Sequence, residues 1–118
     1  MQIILTGEPR STGSIYKSHC KFGFPTVYMN HEGKDLKESY QWEAKSQWKD
    51  EPMNCPLTIE IKLYFKRGGK HDIDNFGKIL LDSLTGIVWV DDSQIEQMIV
   101  SKFIDKSNPR IEIDITSL

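Results

Sequence analysis

The sequence predicts a small α+β or mixed α/β protein: a single domain over residues 1–118, with a mixed β-sheet and about two helices packed on one face. Three observations predict it. First, LTIEIKLYF (57–65) alternates strictly, with Leu57, Ile59, Ile61, Leu63 and Phe65 on one face and Thr58, Glu60, Lys62 and Tyr64 on the other. That is the period of a half-buried strand. Second, RIEIDIT (110–116) repeats the alternation through Ile111, Ile113 and Ile115. Third, two stretches recur at the helical interval instead: Leu36, Tyr40, Ala44 and Trp48 within 33–52, and Phe76, Ile79, Leu80 and Leu84 within 74–84.

The other elements follow along the chain. QIILTGEP (2–9) reads as a short strand ending at a Gly-Glu-Pro turn. Residues 10–30 are irregular, with two short strands expected around Ile15–Tyr16 and Val27–Met29. Their mixture of Arg10, Lys17 and Lys21 with Tyr16, Phe22 and Phe24 suits either a polar surface loop or an arm that touches DNA phosphates and bases. The first helix is expected to start near Lys34 and to be stopped by Pro52. Trp42 lies off its stripe, and the tryptophans read as core or rim packing. KRGGKH (66–71) is a flexible basic turn, and His71 within it reads as an incidental loop residue. The second helix, expected over 74–84, breaks at Thr85-Gly86, and IVWV then delivers the chain to Asp91 and Asp92. SQIEQMIVSKFID (93–105) and RIEIDIT are expected as strands joined by the turn KSNP.

Composition narrows the class. A chain of 118 residues with 38% hydrophobic and 27% charged residues supports one modest core. No apolar run approaches the ~20 residues of a membrane span, and MQIILTGEPR has neither a basic region nor a cleavage site, so the cytoplasm is expected. Cys20 and Cys55 lack metal-ligand spacing and read as reduced thiols. A net charge of −2 argues against indiscriminate DNA binding, but acids gathered around a metal leave the remaining surface basic.

The chemistry concentrates in KHDIDNFGKILLDSL and the following IVWVDDSQI. The bland reading is that Asp72 or Asp74 caps a helix, Asp74–Lys78 and Lys78–Asp82 are surface pairs, and Asp91-Asp92 turns a loop. Capping alone does not need two aspartates before the helix and two after it. The sharper reading is a magnesium site. Asp72 and Asp74, two residues apart, aim the same way in an extended segment, and a return segment can bring Asp91 or Asp92 back to the helix start. Lys78, one turn in, can then offset charge on a scissile phosphate. An EF-hand is excluded, because Phe76 and Ser83 stand where a calcium loop needs ligands. Glu60 and Lys62 on the strand offer a weaker nuclease-like pair.

The string DIDNFGKILLDSLTGIVWVDDSQI resembles the RusA family of Holliday junction resolvases, small endonucleases often carried by prophages. The resemblance rests on D-x-D-N-x-x-K, an acid in the following helix, and D-D-x-Q: Asp72, Asp74, Asn75, Lys78, Asp82, Asp91, Asp92 and Gln94. Lys102 also agrees with the pattern, whereas GEPRSTGSIYKSH departs from the family's P-P-S-x-N type start. The resemblance implies a homodimer that cuts two opposing strands of a four-way DNA junction with magnesium or manganese. It maps essential carboxylates to Asp72, Asp74 and Asp92, a catalytic lysine to Lys78, and accompanying acids to Asp91 and Asp82. Lys66, Arg67 and Lys70, with Arg10 and Lys17, are expected to position the DNA backbone. The rival expectation is a non-catalytic nucleic-acid-binding phage accessory protein that keeps the fold.

Overall fold

The structure, a computed structural model, describes residues 1–11, 16–21 and 24–118, and for 16–21 and 24–29 it describes the backbone. Among the described residues, six strands and two helices follow in order: β1 Gln2–Thr6, β2 Tyr16–Lys21, β3 Phe24–Met29, α1 His31–Gln47, β4 Leu57–Phe65, α2 Gly77–Leu84, β5 Ile95–Ile104 and β6 Arg110–Ser117. Short 3₁₀ turns at Ile73–Asn75 and Asp92–Gln94 precede α2 and β5.

β4 adopts the alternation its sequence dictates: every odd residue from Leu57 to Phe65 is buried and every even one half-buried. It lies inside a four-stranded mixed sheet of order β1-β6-β4-β5. Ile111, Ile113 and Ile115 of β6 and Ile3 and Leu5 of β1 continue the same apolar face. Tyr40, Ala44 and Trp48 from the first helical region and Ile79, Leu80 and Leu84 from α2 complete the core. A fully buried side chain of this kind contributes about 1.5–3 kcal/mol, so the shared apolar face determines on which side of the sheet the helices pack.

Four departures from the sequence reading have physical causes. α1 starts earlier, because Asn30 caps it by accepting the Gly33 N–H at 2.7 Å. It also ends earlier, at Gln47, where Trp48 turns extended and its indole N–H donates to the Glu51 carbonyl at 3.3 Å. The second helix is split: residues 73–75 form a 3₁₀ turn and the α-helix begins only at Gly77.

The largest departure is in topology. β5 and β6 are consecutive but not neighbours. β5 pairs parallel with β4, from Thr58 opposite Gln97 to Phe65 opposite Ile104, and β6 lies antiparallel on the other side of β4. β4, α2 and β5 thus form a crossover unit whose parallel strands need the intervening helix. The Asp105 N–H donates to the Phe65 carbonyl at 2.8 Å as the chain crosses the end of β4. A turn motif between two strand-like segments does not encode which strand each one chooses.

β2 and β3 pair as an antiparallel hairpin, Tyr16 opposite Met29 through Lys21 opposite Phe24, longer than the two short strands expected. Ile15 and Phe22 lie outside the described residues. Trp42 faces solvent at 73% exposure, unlike the buried Trp48 and Trp89, so it is not a core residue. No helix among the described residues is long and apolar enough to cross a membrane.

Candidate active site

The basic turn leaves β4 at Lys66, whose backbone N–H donates to Glu8 Oε2 at 2.7 Å. Arg67, Lys70 and the intervening glycines are exposed. His71 is packed rather than incidental. Its ring stacks on Phe65 with centroids 3.9 Å apart and planes within 5°, and one ring nitrogen meets the Arg67 carbonyl at 3.3 Å. Lys102, reaching from β5, donates to the His71 carbonyl at 2.9 Å. The chain is therefore held on both sides immediately before Asp72.

Asp72 occupies the position before the first 3₁₀ turn, yet its side chain makes no capping hydrogen bond. Its backbone carbonyl accepts from the Asn75 N–H at 3.0 Å, which closes the turn without the carboxylate. Asp74 sits within the turn, exposed, beside a shallow cleft lined by Ile73, Gly77, Met98 and Val100. Among the described residues neither carboxylate has a hydrogen-bonding or ion-pairing partner. The capping account of these two aspartates therefore fails where it is most specific. Asp72 shares its own cleft with Lys70, Asn75 and Phe76, and with Pro9 and Ser11 from the segment after β1.

Lys78 and Asp82 stand one turn apart on α2, Nζ to Oδ2 at 3.7 Å. Beyond α2, the chain reverses at Gly86, whose φ of +89° suits glycine and few other residues. Trp89 then plugs the core, fully buried, with its indole N–H donating to Thr85 Oγ1 at 3.0 Å. The backbone of the same loop is pinned to Met53, whose N–H donates to the Val88 carbonyl at 2.8 Å and whose carbonyl accepts from Val90 at 3.1 Å.

This anchored loop delivers Asp91 and Asp92. Asp91 accepts the Ser93 N–H at 3.3 Å, and its own N–H donates to Gln94 Oε1 at 2.8 Å, a reciprocal cap. The Gln94 amide also donates to the carbonyls of Met53 at 2.8 Å and Cys55 at 3.0 Å. The Ser93 N–H, followed by a hydrogen bond from Asp92, holds the Asp91 carboxyl below the usual carboxylate range. Asp92 moves the other way. Its hydrogen bond to Asp91 raises it first, then desolvation and the charges of Asp91 and Asp82, with Lys78 opposing. The charges of Lys78 and Asp82, on α2, thus act on Asp92.

Among the described residues the acids before α2 make no side-chain hydrogen bond, and after it Asp91 is engaged by the Ser93 N–H with Asp92 beside it. Among the described residues no three acid, histidine or cysteine side chains already gather into a cluster able to hold a metal ion. The donor chemistry nevertheless fits a hard divalent cation: exposed carboxylate oxygens, two of them without partners, and a crowded pair carrying like charge.

The remaining candidates are dispersed. Arg10 is engaged by Glu32 at 2.8 Å. Lys17 lies on β2 opposite Tyr28, and its side chain is outside the described set, as are those of Tyr16 and Phe24. Glu60 and Lys62 face away from the helices, opposite Asp114 and Glu112 of β6. Cys55 is a free thiol. Sequence reasoning missed the positioning role of Gln94, although the Asp91-x-x-Gln94 spacing is that of a reciprocal cap. It also missed Trp89 as the plug of the returning loop, for which an apolar run carries no distinguishing signal.

The chain belongs to a family of small DNA endonucleases, the endodeoxyribonuclease RusA family, whose pattern matches residues 6–116. It is similar to the crossover junction endodeoxyribonuclease RusA of Escherichia coli strain K12, with 26% identity over 93 residues, 78% of each chain. The proteins of the same description from Escherichia coli O6:H1 strain CFT073 and Shigella sonnei strain Ss046 match to the same extent.

Proposed function

We propose that the protein is a divalent-metal-dependent endodeoxyribonuclease that resolves four-way (Holliday) junctions, acting as a homodimer that cuts two opposing strands. The observation that carries the reading is the pair of exposed carboxylates, Asp72 and Asp74, in front of α2, which among the described residues make no hydrogen bond or ion pair. The similarity to crossover junction endodeoxyribonucleases supports the choice of substrate.

Asp72, Asp74 and Asp92 would hold magnesium, or manganese in its place, with Asp91 beside them as the cap that locates Asp92. Bound there, the metal would supply charge neutralisation at the phosphate and a water acidic enough to attack it. Lys78, held by Asp82, places a cation one turn into α2, where it can offset charge developing on the phosphate oxygens. The N–H groups at the start of α2 favour the same anion. Lys66, Arg67 and Lys70, with Arg10 and Lys17, would steer the backbone toward the acid turn.

The test is cleavage of a synthetic mobile four-way junction beside a linear duplex of the same sequence, with and without magnesium, by the native chain and Asp74→Asn. Paired, magnesium-dependent nicks in the junction are expected, lost in Asp74→Asn while junction binding stays. Full cutting by Asp74→Asn would remove the mechanism. Tight binding with no cleavage by the native chain would favour the accessory-protein reading.

A further inference from the structure

The helix α1 separates its charges. Glu43 accepts from the Thr6 N–H at 2.8 Å and from the Thr6 hydroxyl at 2.6 Å. Glu32 bonds Arg10 at 2.8 Å, and Asp35 faces His31 at 3.6 Å. Three of the helix's four acids are thus turned to partners within the fold, which leaves Glu38. Its lysines are treated differently. Among the described residues, the side chains of Lys34, Lys37 and Lys45 make no hydrogen bond or ion pair. Even Glu38, four residues after Lys34, forms no ion pair with it, in keeping with the weaker of the two i,i+4 orientations.

These lysines share one face. Together with Glu38, Gln41 and Trp42 they line a single open hollow on α1, and their net charge is positive. Lys34, Glu38, Gln41 and Lys45 recur at the three- and four-residue interval of a helix, so the stripe runs along the element. From Lys34 to Lys45 it rises about 16 Å. Trp42 stands on it at 73% exposure, whereas Trp48 and Trp89 are buried. Unpaired ammonium groups beside an uncovered indole suit a polyanion that also offers apolar surface, which is the sugar–phosphate backbone of DNA. The face is also continuous with the acid turn. Pro9 and Ser11 wall the cleft of Asp72 and Lys70, and Arg10 between them is tied to Glu32 in the first turn of α1.

We propose that this face of α1 is a second DNA-contact surface, on which a duplex arm of the substrate lies as it leaves the acid turn. Lys34, Lys37 and Lys45 meet phosphates, and Trp42 packs against deoxyribose. The inference rests on the nuclease reading and adds to it the path of the DNA. About 16 Å of helix matches roughly five base-pair steps of ~3.4 Å. Contacts of this kind hold the arm whatever its sequence, because they touch no base edge.

The test uses the full chain and a synthetic four-way junction without magnesium, so that nothing is cut. Of the chain's three tryptophans Trp42 alone is open to solvent. The junction should therefore shield the native chain's fluorescence from acrylamide quenching, and Trp42→Phe should abolish that shielding. Replacing Lys34, Lys37 and Lys45 together by glutamine keeps good helix formers. It should lower junction affinity ~10–100-fold and reduce the slope of log affinity against log salt by about 2–3, with the circular dichroism spectrum retained. Hydroxyl-radical footprints should lose protection along the arms and keep it at the crossover. Quenching of Trp42 that the junction leaves unchanged overturns the proposal, and so does a triple variant with the native salt slope or the native arm footprint. Nicking of the same samples after magnesium is added separates the two readings. Shielding and a reduced slope without nicking keep the surface and lose the nuclease, whereas nicking without them keeps the nuclease and loses the surface.

Discussion

Replacing Gln94 should damage the protein out of proportion to its modest position after Asp91-Asp92. Its side chain makes three hydrogen bonds: from the Asp91 N–H at 2.8 Å, and to the carbonyls of Met53 at 2.8 Å and Cys55 at 3.0 Å. At a net ~0.5–1.5 kcal/mol each, Gln94→Ala should cost about 2–3 kcal/mol. A chain of 118 residues has an unfolding entropy of roughly 250 cal/mol/K near its midpoint, so the Tm should fall by about 8–12 °C. Gln94→Glu is the sharper probe. It keeps the acceptor for Asp91 but places a carboxylate oxygen against two carbonyls, and should cost at least as much as alanine. The loop between Trp89 and β5 would also lose its tie to the segment before β4, letting Asp92 drift from Lys78. An ångström of misplacement in such a site costs on the order of 10²-fold in rate. Thermal melting by circular dichroism and nicking of a four-way junction well below the Tm check both parts. A Tm shift under about 2 °C together with unchanged nicking by both variants would refute the claim that this amide holds the acids in place.

Trp89→Ala should destabilise by about 3–5 kcal/mol, read from urea unfolding, since it empties a fully buried site and leaves the Thr85 hydroxyl without its donor; a loss under about 1 kcal/mol would mean the loop is anchored elsewhere. Burial, followed by the charge of Glu43 and against that of Arg10, pushes the Tyr40 hydroxyl up to about 12. The unfolded chain ionises it near ~10, so its contribution is complete below pH ~10 and is lost as pH rises from there through the folded value. Urea midpoints should therefore fall more steeply between pH 10 and 12 for the native chain than for Tyr40→Phe, and parallel curves would contradict this. Glu60→Gln, on the sheet face away from the helices, should leave the nicking rate within about twofold, because nothing at the acid turn touches it; loss of cleavage there would move the active site.

What the sequence determined by itself is local. The alternation of 57–65 determined β4 to the residue, because burying one face of a strand leaves a period of two that few other arrangements share. The spacing of Lys78 and Asp82 placed both on one face of α2, where they stand 3.7 Å apart, whereas Asp72 and Asp74, expected in an extended segment, flank and enter a 3₁₀ turn. The tertiary structure decided what depends on partners far away in sequence. β5 lies beside β4 and not β6, because the crossover through α2 presents it to the open side of β4 while β6 takes the other. Asp91 is a cap and Asp92 its neighbour near Lys78 only because Gln94 finds two carbonyls about 40 positions back. Whether a carboxylate is engaged or left bare is likewise a three-dimensional fact. Asp72 and Asp91 are the same residue type at the start of the same kind of turn, and only the fold gives Asp91 a capping hydrogen bond that Asp72 does not make.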